Sequence, residues 1–270
     1  MNKLVTVFSA LAVAAGIAQG EVKSANIVGF IEYTGAKGSL LWTVPTFKAV
    51  GTDGSAATVA EIGANDTFVG GGDVIRIFGT DGKQKYELSY LNATEAENEG
   101  AEVGWYTLDA WGDWDFSETY RMNDLALPYG TGLVFVPTTE GATITYSGEV
   151  HQADKPITAS KGALLWTGNT SPVDIKISQL RANDTFVGGG DVIRIFGTDG
   201  KQKYELSYLN ATEAEAEGAE VGWYTLDAWG DWDFSETYRM NDIDLRAGEG
   251  FVFVPATEGA AIVVKNPIVE

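Results

Sequence analysis

The sequence predicts an all-β protein: two tandem, near-identical β-sandwich or open-barrel domains that follow a signal peptide. Three observations predict this architecture. They are an apolar N-terminal segment, an internal duplication, and short alternating strands separated by glycine-containing turns. The chain has 270 residues, 44% of them hydrophobic, which is enough for two cores of ordinary size.

The first twenty residues have the pattern of a secretory signal peptide. Lys3 precedes an apolar run over residues 4–17, and small residues occupy positions 18 and 20. We expect cleavage before Glu21 and a secreted chain, extracellular or at the cell surface. The apolar run is shorter than the ~20 residues that span a bilayer, so we expect no membrane insertion.

The rest of the chain consists of two copies of one unit. Residues 64–124 and 182–242 align at an offset of 118 with a single difference, Asn98 against Ala216. Weaker similarity continues on both sides, where the matching segments are 37–43 with 161–167 and 132–137 with 250–255. Each unit is long enough to close its own core, unlike a solenoid repeat. We therefore predict domains at 21–148 and 149–270, named repeat 1 and repeat 2 below.

Alternation of apolar residues predicts the strands of each unit. Residues 73–79 and 85–91 flank a turn with Asp81-Gly82 at its centre, which is typical of a β-hairpin with a tight primed turn. The run 133–136 is apolar on both faces and should lie centrally in a sheet. Further strands are expected at 26–33, 40–43, 104–109, 132–138 and 143–147.

Helix is expected to be scarce. Residues 57–62 and 175–180 have the composition for a turn or two of helix. The segments 92–100 and 210–218 are rich in alanine and glutamate, and we interpret them as acidic excursions with one helical turn.

Composition excludes several classes of function. The chain has 38 acidic and 18 basic residues, a formal charge of −20, and should repel nucleic acid and anionic membranes. It contains no cysteine and one histidine, which excludes disulfides, thiolate zinc sites and multi-histidine metal sites. We expect no enzymatic activity and no catalytic residues, because a catalytic site is rarely present twice in near-identical copies.

The segment 104–121, repeated at 222–239, combines three tryptophans with several carboxylates. Aromatic ring faces that stack on sugars, beside oxygens that accept from hydroxyl groups, are typical of carbohydrate-binding sites. The candidate glycan-binding residues are Trp111, Trp114, Trp229 and Trp232. The alternative is that Trp105 and Tyr106 are core residues and that Trp111 and Trp114 pack a loop onto the sheet.

The aspartates of the same segment are of the type that binds calcium. The candidate ligands are Asp109, Asp113, Asp115, Asp227, Asp231 and Asp233. The EF-hand pattern is incomplete because its glycine is missing. We expect no cofactor other than calcium.

The junction between the repeats favours assembly. Residues 142–153 contain no flexible Gly/Ser or Pro-rich linker, so we expect a semi-rigid head-to-tail pair. A non-covalent copy of that junction would join successive molecules into a filament or surface layer through the N-terminal strand. The residues of this assembly strand are Asn26, Ile27, Val28, Phe30, Ile31 and Tyr33. The alternative is that the first strand pairs within its own domain.

Several short motifs carry a resemblance to known proteins. They are Ser-Ala-Asn-Ile-Val-Gly-Phe at 24–30, Gly-Asp-Val-Ile at 72–75, and Gly-x-Gly-Leu/Phe at 130–133 and 248–251. The chain resembles secreted bacterial tandem β-domain surface proteins, which are mostly of unassigned function. More loosely, its architecture is similar to that of strand-complemented extracellular filament subunits. The resemblance implies an exported protein and no catalytic residue.

These observations lead to two hypotheses on function. The first is a non-catalytic extracellular structural protein that assembles head-to-tail with copies of itself. The alternative is a tandem carbohydrate-binding module whose partner is a polysaccharide.

Overall fold

The computed structural model describes residues 28–48, 57–150 and 154–265. The predicted signal peptide, and Asn26 and Ile27 of the predicted assembly strand, lie outside these ranges. The described part is mostly β-structure in antiparallel sheets, with two short helices. Neither of these helices is long and apolar enough to cross a membrane.

Apart from the short strand Phe47–Lys48, which has no counterpart among the described residues of repeat 2, the strands and helices follow the same order in the two repeats. Those of repeat 1 are β1 (Val28–Thr34), β2 (Leu41–Thr43), β3 (Phe47–Lys48), β4 (Ala57–Thr58), β5 (Ile62–Ala64), β6 (Val74–Phe78), β7 (Gln84–Leu91), α1 (Ala93–Glu99), β8 (Gly104–Thr107), β9 (Ala126–Leu127), β10 (Leu133–Val136) and β11 (Thr143–Val150). Those of repeat 2 are β12 (Lys155–Thr158), β13 (Leu165–Gly168), β14 (Ile175–Lys176), β15 (Leu180–Ala182), β16 (Val192–Phe196), β17 (Gln202–Leu209), α2 (Ala211–Glu217), β18 (Gly222–Thr225), β19 (Asp244–Leu245), β20 (Gly250–Val254) and β21 (Ala261–Val264).

Each repeat contains one five-stranded sheet, with the order β2-β10-β6-β7-β8 in repeat 1 and β13-β20-β16-β17-β18 in repeat 2. A second sheet is built around β11 in repeat 1 and around β21 in repeat 2. Strand β10 lies between β2 and β6, which confirms the central position predicted from its two apolar faces.

Each repeat has a buried core to which residues of both its sheets contribute. In repeat 1, Ile75 and Phe135 of the five-stranded sheet belong to one buried cluster with Ile144 and Tyr146 of β11. Repeat 2 has a separate cluster of its own. Trp105 is fully buried in the first cluster and donates from Nε1 to the carbonyl of Ile62 at 3.0 Å, so it is a core residue.

The predicted hairpin is confirmed, but its turn is of another type. Strands β6 and β7 pair with Ile75 opposite Leu88, and the register shifts after Ile77. Both primed turn types need a positive φ at the first central residue, which would be Asp81, whereas Gly82 has φ 74° and no described non-glycine residue has a positive φ. The amide of Gly82 donates to the carbonyl of Gly79 at 2.9 Å, which is typical of a type I turn followed by a bulge.

The acidic excursions form longer helices than one turn. Helix α1 has seven residues because Asn92 and Glu95 form a complete capping box at its start. Gly100 ends it in the left-handed conformation, with φ 66°. The segments 57–62 and 175–180 instead form short strands and single 3-10 turns, at Val59–Glu61 and Ile177–Gln179.

A stack of four aromatic rings joins the two repeats. Trp42 lies on Trp166 with ring centroids 4.8 Å apart and ring planes 10° apart. Trp42 also stacks on Phe196 at 4.5 Å, and Trp166 stacks on Phe78 at 4.3 Å. Since Trp166 is the counterpart of Trp42 and Phe196 that of Phe78, the stack is reciprocal.

Backbone contacts around the stack are reciprocal too. The amide of Leu40 donates to the carbonyl of Thr198 at 2.8 Å, and the amide of Leu164 donates to the carbonyl of Thr80 at 2.8 Å. Leu40 corresponds to Leu164 and Thr80 to Thr198, so each repeat uses the same surface. The repeats therefore meet about a local pseudo-two-fold axis. The prediction of a head-to-tail pair within the chain was wrong, because a head-to-tail contact joins two different surfaces.

The rim of this contact differs on its two sides. On one side, the hydroxyl of Tyr33 donates to the carbonyl of Ala247 at 2.9 Å. On the other side, the hydroxyl of Tyr129 donates to the carbonyl of Thr170 at 2.8 Å. Both tyrosines belong to repeat 1, and the corresponding positions of repeat 2 are Ile157 and Ala247, so the two repeats have diverged where they touch.

Candidate functional site

The loop after β8 is a rigid turn built around Asp109. One oxygen of its carboxylate accepts from the amides of Trp111 at 2.8 Å and Asp113 at 2.9 Å. The amide of Asp109 donates to the carbonyl of Asp113 at 2.8 Å, and Gly112 has φ 86°. The same bonds recur around Asp227 in repeat 2. These loops are named the tryptophan loops, residues 108–117 and 226–235.

One tryptophan of each loop projects into solvent. Trp111 is 89% exposed and Trp229 is 87% exposed, the highest values among the large hydrophobic residues that the structure describes. Neither side chain packs the loop onto the sheet, which was the alternative interpretation for Trp111. Each indole ring is therefore accessible to another molecule.

The other tryptophan of each loop packs against a phenylalanine of the loop and against a glycine turn of the same repeat. Trp114 is half-buried and stacks on Phe116, with ring centroids 6.3 Å apart and planes 7° apart. A Cβ on Gly71 would lie 3.1 Å from Cδ1 of Trp114, so the ring rests directly on that glycine. Trp232 has the same place on Gly189 in repeat 2. Of the predicted pair in each repeat, one tryptophan faces outward and one packs the loop.

A buried carboxylate holds the glycine turn that Trp114 rests on. Asp73 is fully buried and accepts from the amides of Val69 at 2.7 Å, Thr138 at 2.6 Å and Thr139 at 2.8 Å. Asp191 makes the equivalent bonds in repeat 2. The sequence analysis included Asp73 in a short motif but gave it no role, although its place after three glycines, in both repeats, was a usable signal.

The aspartates of the loops act as turn-forming residues. Asp115 accepts from the amide of Ser117 at 2.9 Å, as Asp109 accepts from Trp111 and Asp113, and Asp233 accepts from Ser235 at 2.8 Å. Within the described ranges, no group of three or more His, Asp or Glu side chains is arranged to hold a metal ion. The geometry favours the turn-forming role over calcium binding for Asp109, Asp115, Asp227 and Asp233; Asp113 and Asp231 lie in the same turns.

The base of each loop carries a charged cluster. Arg121 pairs with Glu102 and with Glu118, the latter at 3.3 Å, and donates to the carbonyl of Val103 at 3.1 Å. Arg239 pairs with Glu220 and Glu236 in the same way. These contacts fix the strand before the loop to the 3-10 turn after it, and they hold the loop in one orientation.

The predicted assembly strand lies in the sheet of its own repeat. Strand β1 pairs with β11 over seven residue pairs, from Val28 opposite Glu149 to Thr34 opposite Thr143. Ile31 and Tyr33 pack against the core of repeat 1, while Phe30 is 46% exposed on the other face. This is the alternative that was set against strand donation, and strand donation would require β1 to leave β11.

An open depression at the junction of the repeats contains one carboxylate. Thr80 of repeat 1 lines it together with Thr158, Leu165 and Glu258 of repeat 2. Glycoside hydrolysis in its usual form needs two carboxyl groups that face each other, and this depression has one. It therefore offers no arrangement for that chemistry.

No protein-family model matches the chain, and no curated protein and no solved structure matches it either.

Proposed function

We propose that the protein is a non-catalytic, extracellular carbohydrate-binding protein, in which two tandem β-sandwich domains each present one tryptophan loop. The exposure of Trp111 and Trp229, 89% and 87%, is the observation that carries the proposal. The apolar face of an indole ring stacks on the C–H face of a sugar ring. The secretion signal predicted at residues 1–20 supports an extracellular setting for this contact.

The rigidity of the loop favours binding. Asp109 fixes the backbone at Trp111 through two hydrogen bonds, of 2.8 and 2.9 Å. A ring on a pre-organised loop loses little conformational entropy when a ligand covers it. The neighbouring carboxylates of Asp113 and Asp115 are hydrogen-bond acceptors, which suit the hydroxyl groups of a sugar.

Charge restricts the class of polysaccharide. The chain carries a formal charge of −20, and three of its aspartates lie in each tryptophan loop, beside the exposed ring. Anionic polysaccharides would be repelled from such a surface. The ligand that we propose is therefore a neutral polysaccharide, and two identical sites in one chain add avidity to two weak contacts.

The test is retention on neutral polysaccharides. Mature protein (residues 21–270) is run by affinity electrophoresis in gels with xylan, mannan, β-glucan or starch, and is mixed with insoluble cellulose and chitin. We expect retention on at least one of them, weaker retention for Trp111→Ala and Trp229→Ala, and loss of retention in the double variant. Trp111→Tyr keeps a stacking ring, so this variant should be retained more strongly than Trp111→Ala and nearly as strongly as the wild type.

Controls separate binding from folding. Lys161→Ala removes an exposed side chain outside the tryptophan loops and outside β1, and should leave retention unchanged. Thermal unfolding should be nearly the same in all variants, because the substituted side chains are in water. Equal retention of the double variant and the wild type would contradict the proposal, and so would no retention of the wild type on any polysaccharide of the panel.

A structural role outside the cell is the second candidate function. The observation that favours it is the outer edge of β1, which pairs with no other strand of the described residues. Deleting residues 21–35 is a poor test of this role, because the deletion removes Ile31 and Tyr33 from the core of repeat 1. Substitutions within β1, which keep the strand in place, are the sharper test.

A further inference from the structure

Strands β1 and β12 occupy the same place in the two repeats. Glu32 lies opposite Thr145 of β11, and Pro156 lies opposite Val263 of β21. These positions correspond, so the two strands share one register. Within the described residues, each of them pairs on one side only and forms the edge of its sheet.

The two edges differ in chemistry. Phe30, Ile31 and Glu32 of β1 correspond to Asp154, Lys155 and Pro156 in repeat 2. Lysine and proline on an edge strand are the residues by which proteins prevent edge-to-edge pairing, because proline offers no N–H to a further strand. Asp154 is paired with Lys265. Repeat 2 thus has a protected edge, and the corresponding edge of repeat 1 lacks that protection.

The main chain of β1 directs hydrogen-bonding groups outward. The amide of Asn65 donates to the carbonyl of Thr143, so the backbone N–H and C=O groups of Thr143 point toward β5 and not toward β1. Thr145, two residues further along β11, directs its backbone groups the same way. Glu32, opposite Thr145, therefore directs its own N–H and C=O to the free edge. Because these directions alternate along an antiparallel strand, the backbone N–H and C=O groups of Val28, Phe30 and Thr34 also point to the free edge.

Phe30 is unusual among the exposed apolar residues. The other large ones in the described ranges come in equivalent pairs, one from each repeat: Val69 and Val187, Val103 and Val221, and Trp111 and Trp229. Phe30 is 46% exposed, and an aspartate stands at its place in repeat 2. An exposed ring on an unprotected edge points to a contact that repeat 1 makes and repeat 2 does not.

We propose that β1 pairs edge to edge with β1 of a second copy of this chain, antiparallel and about a two-fold axis. A register centred on Ile31 joins all seven residues of each strand. It places Glu32 opposite Phe30 of the other copy, so that the two glutamates are diagonal neighbours rather than directly opposed. Glu32 is the one charged residue of β1, which makes this strand suitable for contact between two copies of a strongly acidic chain.

The contact is closed. Each copy uses the same edge, and the backbone groups of that edge are then fully paired. The product is therefore a dimer and not a filament. The place of β1 in its own sheet leads to this result, because a strand that stays paired with β11 has one edge left to offer. The inference is independent of carbohydrate binding.

The test is the mass of the mature protein in solution, by sedimentation equilibrium over a range of concentrations. We expect a monomer–dimer equilibrium for the wild type. The triple variant Phe30→Asp, Ile31→Lys, Glu32→Pro gives β1 the residues of the protected edge, and repeat 2 demonstrates that this fold accommodates them. Its dissociation constant should rise at least tenfold, while Trp229→Ala, which removes an exposed ring elsewhere, should leave the dimer unchanged.

A cysteine reports the register. The chain has no cysteine, so Ile31→Cys introduces a single thiol. In the register centred on residue 31, the two thiols form a non-hydrogen-bonded pair with Cα atoms about 4.5 Å apart, close enough for a disulfide. We expect an oxidised dimer for Ile31→Cys and much less for Thr34→Cys, whose partner position is 28.

Three outcomes would overturn the proposal. The first is a wild type that stays monomeric at every concentration. The second is a dimer that persists unchanged in the triple variant, and the third is a dimer in which Ile31→Cys forms no disulfide. A ladder of larger species would also count against a closed contact.

Discussion

Trp42 and Trp166 stack across the boundary between the repeats, with ring centroids 4.8 Å and ring planes 10° apart. The two residues are counterparts, so the stack lies on the pseudo-two-fold axis. Close backbone contacts surround it: a Cβ on Gly132 would lie 2.7 Å from the nitrogen of Thr167, and a Cβ on Gly250 would lie 2.9 Å from that of Thr43. Glycine at both places lets the two backbones approach.

The stack should contribute coupled stability. Trp42→Ala and Trp166→Ala should each lower the free energy of unfolding by about 2–4 kcal/mol, since each ring leaves a gap between two others. A double-mutant cycle from urea unfolding should give a coupling energy of about 0.5–1.5 kcal/mol. Trp111→Ala, the control in an exposed loop, should change stability by less than ~0.5 kcal/mol. Additive effects of the two stack variants would contradict the reciprocal contact.

Alanine substitutions at two glycines distinguish the cost of backbone strain from the cost of a steric clash. Gly71 and Gly112 have φ values of 75° and 86°, so alanine at either costs about 1 kcal/mol. A Cβ at Gly71 also meets Trp114 at 3.1 Å, whereas nothing lies within 4 Å of one at Gly112. Gly71→Ala should therefore destabilise by about 1 kcal/mol more than Gly112→Ala in urea unfolding. Equal losses would mean that Trp114 does not rest on the glycine turn.

Glu249 should make the stability of the repeat pair depend on pH. Burial raises the pKa of the Glu249 carboxyl and nearby Asp174 adds to this, while Arg246 and Lys203 oppose it. With a folded pKa above the unfolded value, this group contributes stability below the unfolded pKa and loses it as pH rises through the folded pKa.

Glu249→Gln cannot ionise, so it isolates this effect. The stability of the variant minus that of the wild type should grow as pH rises from about 4.5 and level off above the folded pKa. Urea unfolding at several pH values measures the difference. A difference that stays constant with pH for Glu249→Gln would disprove the effect.

Calcium should have little effect on the tryptophan loops. Oxygens of Asp109 and Asp115 already accept from backbone amides, so binding a cation there would compete with the turn. We expect the melting temperature to change by less than a degree or two between millimolar calcium and excess EDTA. A rise of several degrees in calcium, lost in Asp113→Asn, would instead support the calcium hypothesis.

The local structure of each repeat could be predicted from residues that are close together in the chain. The hairpin of β6 and β7 and the central place of β10 follow from side-chain alternation, which a strand expresses residue by residue. The duplication at an offset of 118 likewise determined that the two halves share one order of elements. These properties depend on neighbours in the chain, so the sequence displays them directly.

Which side chains and strand edges each repeat exposes depends on packing between distant segments and could not be predicted in this way. Trp111 and Trp114 are alike in sequence, yet one is 89% exposed and the other rests on Gly71, which lies outside its loop. The two-fold contact of Trp42 with Trp166, and the edge that β1 leaves open, also depend on residues far apart in the chain. Such contacts have no local period, so no pattern in the sequence could distinguish a reciprocal pair from a head-to-tail one.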